Sequence, residues 1–83
     1  MGQIARTPQQ LGSAIRRRRR KLGLSQVSVA DRIKLRQATI SAMESGAPGT
    51  QLGTLCSVLA ALDLELTVRP RTKAEPAEIA AIF

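Results

Sequence analysis

The chain has 83 residues, a net charge of +7 at pH 7, one cysteine, no histidine and no tyrosine. This length leaves room for one small domain, and the lone thiol of Cys56 cannot form an internal disulfide, which suits a reducing cytoplasm. Six scattered carboxylates without histidine supply neither a catalytic site nor a metal site, so we expect no enzyme, no cofactor and no metal ion. Residues 1–7 lack the apolar run of a signal peptide, and no segment is apolar enough to span a membrane. We therefore expect a cytoplasmic protein without a membrane partner.

The positive charge is concentrated in the first half of the chain. Residues 1–46 contain ten lysines and arginines against two acidic residues, whereas residues 47–83 contain three against four. Such an asymmetry is typical of a protein that binds a polyanion, above all nucleic acid. A solvated surface that keeps the protein soluble is the alternative explanation of the same composition.

The first predicted helix has clear start and stop signals. Thr7 can cap it, Pro8 suits the first helical position, and Gln10 completes a capping box. Gly23 is the glycine expected directly after a helix end. The apolar residues at helical spacing between these signals are Leu11, Ile15 and Leu22.

Three further helices follow from the same reasoning. Ser25 is the predicted cap of a short second helix, a third helix should run from about Gln37 to Ser45, and Thr50 is the predicted cap of a fourth. The residues expected to face the core are Val29, Ala30 and Ile33 in the second helix, Ile40 and Met43 in the third, and Leu52, Leu55, Leu59 and Leu62 in the fourth.

After these helices the apolar pattern changes to a period of two, which predicts a strand that ends at Pro70. A lone strand with one apolar face is not stable, and the chain has no good second strand to pair with it. Pairing with the same strand of a second copy would satisfy the backbone hydrogen-bonding groups of both strands. We therefore predict a two-fold homodimer. The apolar residues of this dimer strand are Leu64, Leu66 and Val68.

The five consecutive arginines at positions 16–20 cannot all point in one direction, because successive residues advance about 100° around a helix. Arg18 and Arg19 fall on the apolar face, where a guanidinium is costly unless a carboxylate meets it. The basic half offers only Asp31 and Glu44, and Glu44 ends the third helix beside its core residues. We therefore predict a structural Arg19–Glu44 ion pair. The arginines left for solvent or phosphate are Arg16, Arg17 and Arg20.

Residues 26–44, with the sequence QVSVADRIKLRQATISAME, resemble the Xre-type helix-turn-helix of lambda-like phage repressors. The resemblance covers residues 8–62 and includes the leader GLSQ, the trailer ESG, and the small Ala30 that lets two helices cross closely. The family also pairs the residues at the positions of Arg19 and Glu44. One departure is Lys34, which stands where the family usually has a glycine at positive φ, at a cost of about 1–2 kcal/mol. The apolar positions that match are Val29, Ile33, Leu35, Ile40 and Met43.

The resemblance implies that the third helix enters the major groove of DNA with its N-terminal residues against the base edges. Gln37 can bond adenine through two hydrogen bonds, and Arg36 can reach guanine or phosphate. Each of these residues could instead be merely exposed, since every amphipathic helix has a polar face. The residues expected to read bases are Arg36, Gln37, Ala38 and Ser41, and those expected to contact phosphate are Gln26, Ser28, Lys34, Thr39 and Arg17.

Four helices followed by the strand LELTVRPR look like the HipB-type antitoxins, a family that represses its own operon and binds a HipA-type kinase toxin. The implied fold is an all-α, four- to five-helix lambda repressor-like domain with one C-terminal strand pairing across a dimer. The implied layout is an N-terminal arm (1–7), a DNA-binding domain (8–62), a dimerising strand (63–70) and a tail (71–83) that is expected to be flexible. The tail residues that could contact a toxin are Ile79, Ile82 and Phe83.

Two alternatives remain at this point. The chain could be a stand-alone Xre-type regulator with no toxin partner, because many such regulators share the four helices. It could also belong to a different class, a basic amphipathic protein that binds RNA or an anionic membrane surface. Salt-sensitive binding to a preferred duplex sequence would separate that class from the first two.

Overall fold

The computed structural model describes residues 3–71. This part of the chain contains four helices, α1 (Pro8–Lys21), α2 (Gln26–Arg32), α3 (Gln37–Glu44) and α4 (Leu52–Ala61). Helix α3 packs against both α1 and α2, and α2 also packs against α4. None of the described helices has the length and apolar character needed to cross a bilayer.

The starts of α1 and α2 are capped as predicted. The Thr7 hydroxyl accepts a hydrogen bond from the Gln10 backbone N–H at 3.1 Å, and the Ser25 hydroxyl accepts one from Ser28 at 3.0 Å. In a capping box the Gln10 side chain would accept from the backbone N–H of the cap residue Thr7. Here it accepts from the N–H of the preceding residue, Arg6, at 2.6 Å. Both helix starts therefore follow from local sequence.

The start of α4 differs from the prediction. Its N-cap is Gln51, and that residue makes no side-chain capping bond. Thr50, predicted as the cap, instead donates its hydroxyl to the Ala47 carbonyl at 3.3 Å. The threonine thus stabilises the preceding loop, and the prediction of Thr50 as the cap was wrong.

Helix α1 ends as predicted at Gly23, which adopts a φ of 72°. The Leu24 N–H reaches back to the Arg19 carbonyl at 3.1 Å, and the Gly23 N–H reaches the Arg20 carbonyl at 3.0 Å. These two bonds form a Schellman motif, in which the left-handed residue is favourable for glycine because it has no Cβ. The motif turns the chain directly into the cap of α2.

The core lies where the four helices meet. Gly12 lets α1 approach α3 closely, because a Cβ at this position would collide with the Met43 and Glu44 backbone. The buried apolar residues are Ile15, Val29, Ala30, Ile40, Met43, Val58, Leu59 and Leu62. The partly buried residues packed around them include Leu11, Ile33, Leu35, Leu55 and Leu64.

Two leucines predicted to face the core are exposed, which corrects the prediction. Leu22 is the C-cap of α1 and lies at a helix end that the other described helices leave uncovered. Leu52 begins α4 at its outer end and is 66% exposed, whereas Val58, which was not singled out, is fully buried. Helical spacing predicts the direction in which a side chain points. It does not show how much of the helix its neighbours cover.

The predicted strand is not present in a single chain. Residues 64–70 take no regular secondary structure, and no other segment of residues 3–71 pairs with them. Leu64 packs against the core, whereas Leu66 is 53% exposed and Val68 is 93% exposed. A strand needs a partner to satisfy its backbone groups, so the physical reason for its absence is the lack of such a partner within the described chain. The fold is all-α with four helices over this range.

Candidate nucleic-acid interface

Helices α2 and α3 form a compact unit joined by a tight turn. Ala30 of α2 and Ile40 of α3 are both buried, so the two helices share one core. The turn contains Lys34 at a φ of 57°, and the Leu35 N–H bonds the Ala30 carbonyl at 2.9 Å. Lys34 therefore takes the left-handed position that glycine usually fills, as the sequence predicted, at a cost of about 1–2 kcal/mol.

The residues predicted to read bases lie on the side of α3 that faces away from the core. Arg36, Gln37 and Ala38 are exposed, and Ser41 is partly exposed one turn later. Of the residues predicted to contact phosphate, Lys34 and Arg17 are exposed, whereas Gln26, Ser28 and Thr39 are partly buried. The start of α3 thus presents an exposed, mostly polar surface.

Arg19 and Glu44 form a bidentate ion pair between α1 and α3. Arg19 Nε donates to Glu44 Oε2 at 2.6 Å and Nη2 donates to Oε1 at 3.0 Å. The third nitrogen, Nη1, donates to the Leu24 carbonyl at 2.8 Å. The Arg19 side chain is 10% exposed and that of Glu44 is 3% exposed, so the pair is almost entirely removed from water. Its position agrees with the pair that the sequence predicts.

The pair continues into a chain of hydrogen bonds that ends on the exposed face of α3. Gln26 Nε2 donates to Glu44 Oε1 at 3.2 Å, and Gln37 Nε2 donates to Gln26 Oε1 at 3.0 Å. A buried ion pair, a partly buried amide and an exposed amide are therefore linked in series. Sequence reasoning assigned Gln26 and Gln37 separate roles and missed the bond between them, because residues eleven positions apart on two helices carry no joint sequence signal.

The ionisation of the pair follows from its contacts. Burial is the largest single effect and by itself would raise the pKa of Glu44, but hydrogen bonds from Arg19 and Gln26, together with the positive charges of Arg19 and Arg16, outweigh it and hold the pKa below its ordinary value. The hydrogen bond with Glu44 raises the pKa of Arg19 above its ordinary value. Both groups are therefore charged at neutral pH, and every buried side-chain nitrogen or oxygen in the described residues has a hydrogen-bond partner.

Arg18 has a role that sequence reasoning missed. Its Nε donates to the Leu62 carbonyl at 3.0 Å, and its Nη2 lies 3.9 Å from a carboxylate oxygen of Asp63. Arg18 thereby binds the C-terminal end of α4 to α1, where a cation is favourable beside unpaired carbonyls. The available sequence signal was its position on the apolar face of α1, but a backbone acceptor cannot be identified from sequence.

Two further sets of predicted residues lie away from α2 and α3 in the sequence. Of the predicted dimer strand, only Leu64 contacts the core of its own chain, and the apolar side chains of Leu66 and Val68 face outward. The residues suggested as a toxin contact, Ile79, Ile82 and Phe83, lie outside the described residues.

The fold and the turn between α2 and α3 define a helix-turn-helix protein, and the helix-turn-helix family profile matches residues 15–68. Antitoxin HipB of Escherichia coli (strain K12) is 34% identical over 70 residues, which is 84% of this chain and 80% of that protein. Antitoxin HipB of Escherichia coli O6:H1 (strain CFT073) is also 34% identical over 70 residues, which is 74% of that protein.

Solved structures give the same result. A HipB–O4 20mer complex contains a chain that matches with a TM-score of 0.80 and 32% identity, over 86% of this chain and 100% of that one. A HipA–HipB–O2–O3 complex contains one with a TM-score of 0.79 and 32% identity, over 86% and 100%. The chain belongs to the HipB antitoxin family of helix-turn-helix proteins, and the resemblance seen in its sequence is confirmed.

Proposed function

We propose that the chain is a HipB-type antitoxin that binds operator DNA as a homodimer, represses its own operon and binds a HipA-type kinase toxin. The residues proposed to read bases are Arg36, Gln37, Ala38 and Ser41. Those proposed to contact phosphate are Gln26, Ser28, Lys34, Thr39 and Arg17. The full-length structural match to HipB in a complex with a 20mer supports this use of α2 and α3.

The observation that carries the DNA-binding role is the hydrogen bond between Gln37 and Gln26. It uses one of the two N–H groups of the Gln37 amide. The other N–H and the Oε1 atom remain for a base, and this donor–acceptor pair matches N7 and N6 of adenine in the major groove. Because Gln26 is itself bonded to the buried Glu44, Gln37 is oriented before DNA arrives, which lowers the entropy cost of binding.

The dimer is proposed to form through residues 63–70. The outward-facing Leu66 and Val68 would be covered by their copies, and a two-stranded ladder would satisfy the backbone of the segment. A two-fold dimer places its two α3 helices against two half-sites of a palindrome. The HipA–HipB complex among the structural matches supports the proposal of a kinase toxin as a further partner.

The test of base reading compares two variants on two DNAs. A duplex selected from a random library by the wild-type protein serves as the specific site, and a mixed-sequence duplex serves as the competitor. Gln37→Ala should weaken binding to the selected duplex by about 1–3 kcal/mol and hardly change binding to the mixed duplex. Arg17→Ala is the matched comparison, because loss of a phosphate contact weakens both DNAs alike and lowers the salt slope by about one unit.

Two results would contradict the proposal. If the wild-type protein showed no preference for any duplex in the selection, operator binding would be wrong. If Gln37→Ala weakened both DNAs equally, Gln37 would not read a base and α3 would occupy a different position. Toxin binding is tested separately. The antitoxin is co-expressed with a HipA-type kinase encoded next to it, and the mixture is analysed by size-exclusion chromatography. Separate elution of the two proteins would favour a stand-alone regulator.

A further inference from the structure

The five consecutive arginines divide into two groups by their contacts. Three have protein partners: Arg17 donates to Gln3, Arg18 to Leu62, and Arg19 to Glu44. The other two, Arg16 and Arg20, make no hydrogen bond and no ion pair within residues 3–71. These two are four positions apart, so they lie on the same face of α1.

Arg16 and Arg20 line one polar cleft of about 440 Å³ between α1 and α3. The opposite wall contains Ser41 and Ser45 of α3, and Gln26 lines it as well. The Ser45 hydroxyl is engaged with the Ser41 carbonyl at 3.0 Å, whereas the Ser41 hydroxyl donates no hydrogen bond to the described chain. The cleft therefore contains two guanidinium groups that make no hydrogen bond within residues 3–71, of which Arg16 also attracts the nearby Glu44 carboxylate, and one available hydroxyl.

The charge of this cleft favours an anion. Glu44 is its only carboxylate, and that carboxylate is already neutralised by Arg19. Like charges four residues apart on a helix repel each other. An anion bound between Arg16 and Arg20 removes this repulsion. It also accepts charge-assisted hydrogen bonds from guanidinium groups that lose little protein contact on binding.

The position of the cleft identifies the anion. Two of its lining residues, Gln26 and Ser41, are proposed DNA contacts, so a duplex whose major groove holds α3 has one backbone passing over the cleft. We propose that Arg16 and Arg20 together bind a phosphate of this DNA backbone, beside the groove that α3 enters. This inference rests on the proposed DNA-binding function and adds a contact from α1 to those of α2 and α3.

The experiment measures binding of a mixed-sequence duplex, two helical turns long, by fluorescence anisotropy at several salt concentrations. The variants are Arg16→Gln, Arg20→Gln and the double variant, and Arg71→Gln is the control because it removes one exposed charge outside the cleft. Each cleft variant should bind roughly tenfold more weakly and lose about one unit of salt slope. Arg71→Gln should keep the slope. The double variant should lose less than the product of the two single losses, because both arginines bind the same phosphate.

The outcomes separate this inference from the function on which it rests. If the wild-type protein binds DNA while the cleft variants change affinity and slope no more than Arg71→Gln, the phosphate site is wrong and the DNA-binding function stands. Strictly multiplicative losses in the double variant would mean two separate contacts and would also overturn the shared site. If the wild-type protein binds no duplex, both are wrong. Circular dichroism melting of each variant confirms that it is folded, and Arg16→Lys with Arg20→Lys should retain the wild-type slope.

Discussion

Replacing Glu44 with alanine tests whether the Arg19–Glu44 pair stabilises the fold. The substitution removes both acceptors of the bidentate interaction and leaves the Arg19 guanidinium with the Leu24 carbonyl as its remaining partner. It also removes the acceptor of the Gln26 amide. Because the pair is nearly inaccessible to water, stranding the guanidinium should cost about 3–5 kcal/mol.

This cost is large for a protein of this size. A chain of 83 residues is expected to have an unfolding free energy of about 4–12 kcal/mol. A loss of 1 kcal/mol lowers the melting temperature of a small domain by about 4–8 °C, so Glu44→Ala should melt at least about 12 °C below the wild type. Thermal melts followed by circular dichroism measure this directly, at one fixed protein concentration because the dimer would otherwise shift the midpoint.

A double substitution supplies the control for this prediction. Arg19→Met with Glu44→Leu removes both charges and leaves neither one stranded, so it should melt well above Glu44→Ala. A melting temperature of Glu44→Ala within about 4 °C of the wild type would refute the reasoning, since the pair would then contribute no more than an exposed surface ion pair.

Three further predictions concern pH, the turn and the dimer. The pKa of Glu44 is lowered by folding, so its stabilising contribution is present above the ordinary glutamate value of about 4.3 and is lost as pH falls through the lower folded value. The difference in melting temperature between wild type and Glu44→Gln should therefore shrink below about pH 4, and a constant difference would contradict this. Lys34→Gly should relieve the left-handed strain and raise the unfolding free energy by up to about 1 kcal/mol. The same substitution should weaken binding to any duplex. A lower melting temperature than that of the wild type would mean that the lysine is not strained. Leu66→Lys with Val68→Lys should give monomers in analytical ultracentrifugation and abolish operator binding, and a variant that stays dimeric would place the interface elsewhere.

The local structure of the first three helices was predictable from sequence. Caps at Thr7 and Ser25 and the stop at Gly23 depend on residues within four positions of each other, so their physics is contained in a short stretch of chain. The left-handed backbone at Lys34 and the Arg19–Glu44 contact were also predicted. The resemblance to the helix-turn-helix family implied the first, and the second was predictable because a buried arginine has few possible carboxylate partners in a half of the chain with only two acidic residues.

Only the tertiary structure shows which residues near the helix ends are buried and which segments pair. Leu22 and Leu52 have the correct helical phase for the core, yet they lie beyond the region that neighbouring helices cover. The strand pattern of residues 64–70 forms no ladder, because backbone pairing requires a second strand and residues 3–71 contain none.

The candidate site shows the same division. Residue types and spacing indicated which side chains of α2 and α3 face away from the core, because the period of a helix determines their direction. They did not indicate that Gln37 is bonded through Gln26 to a buried ion pair, or that Arg16 and Arg20 are the two arginines of their run that make no hydrogen bond within residues 3–71. The helical period separates Arg18 and Arg19, on the apolar face, from the other three arginines of the run, but it does not show which of those three has a protein acceptor. Only the folded chain determines which guanidinium groups meet protein acceptors, because those acceptors lie in three separate places: the N-terminal segment, the C-terminal end of α4 and the end of α3.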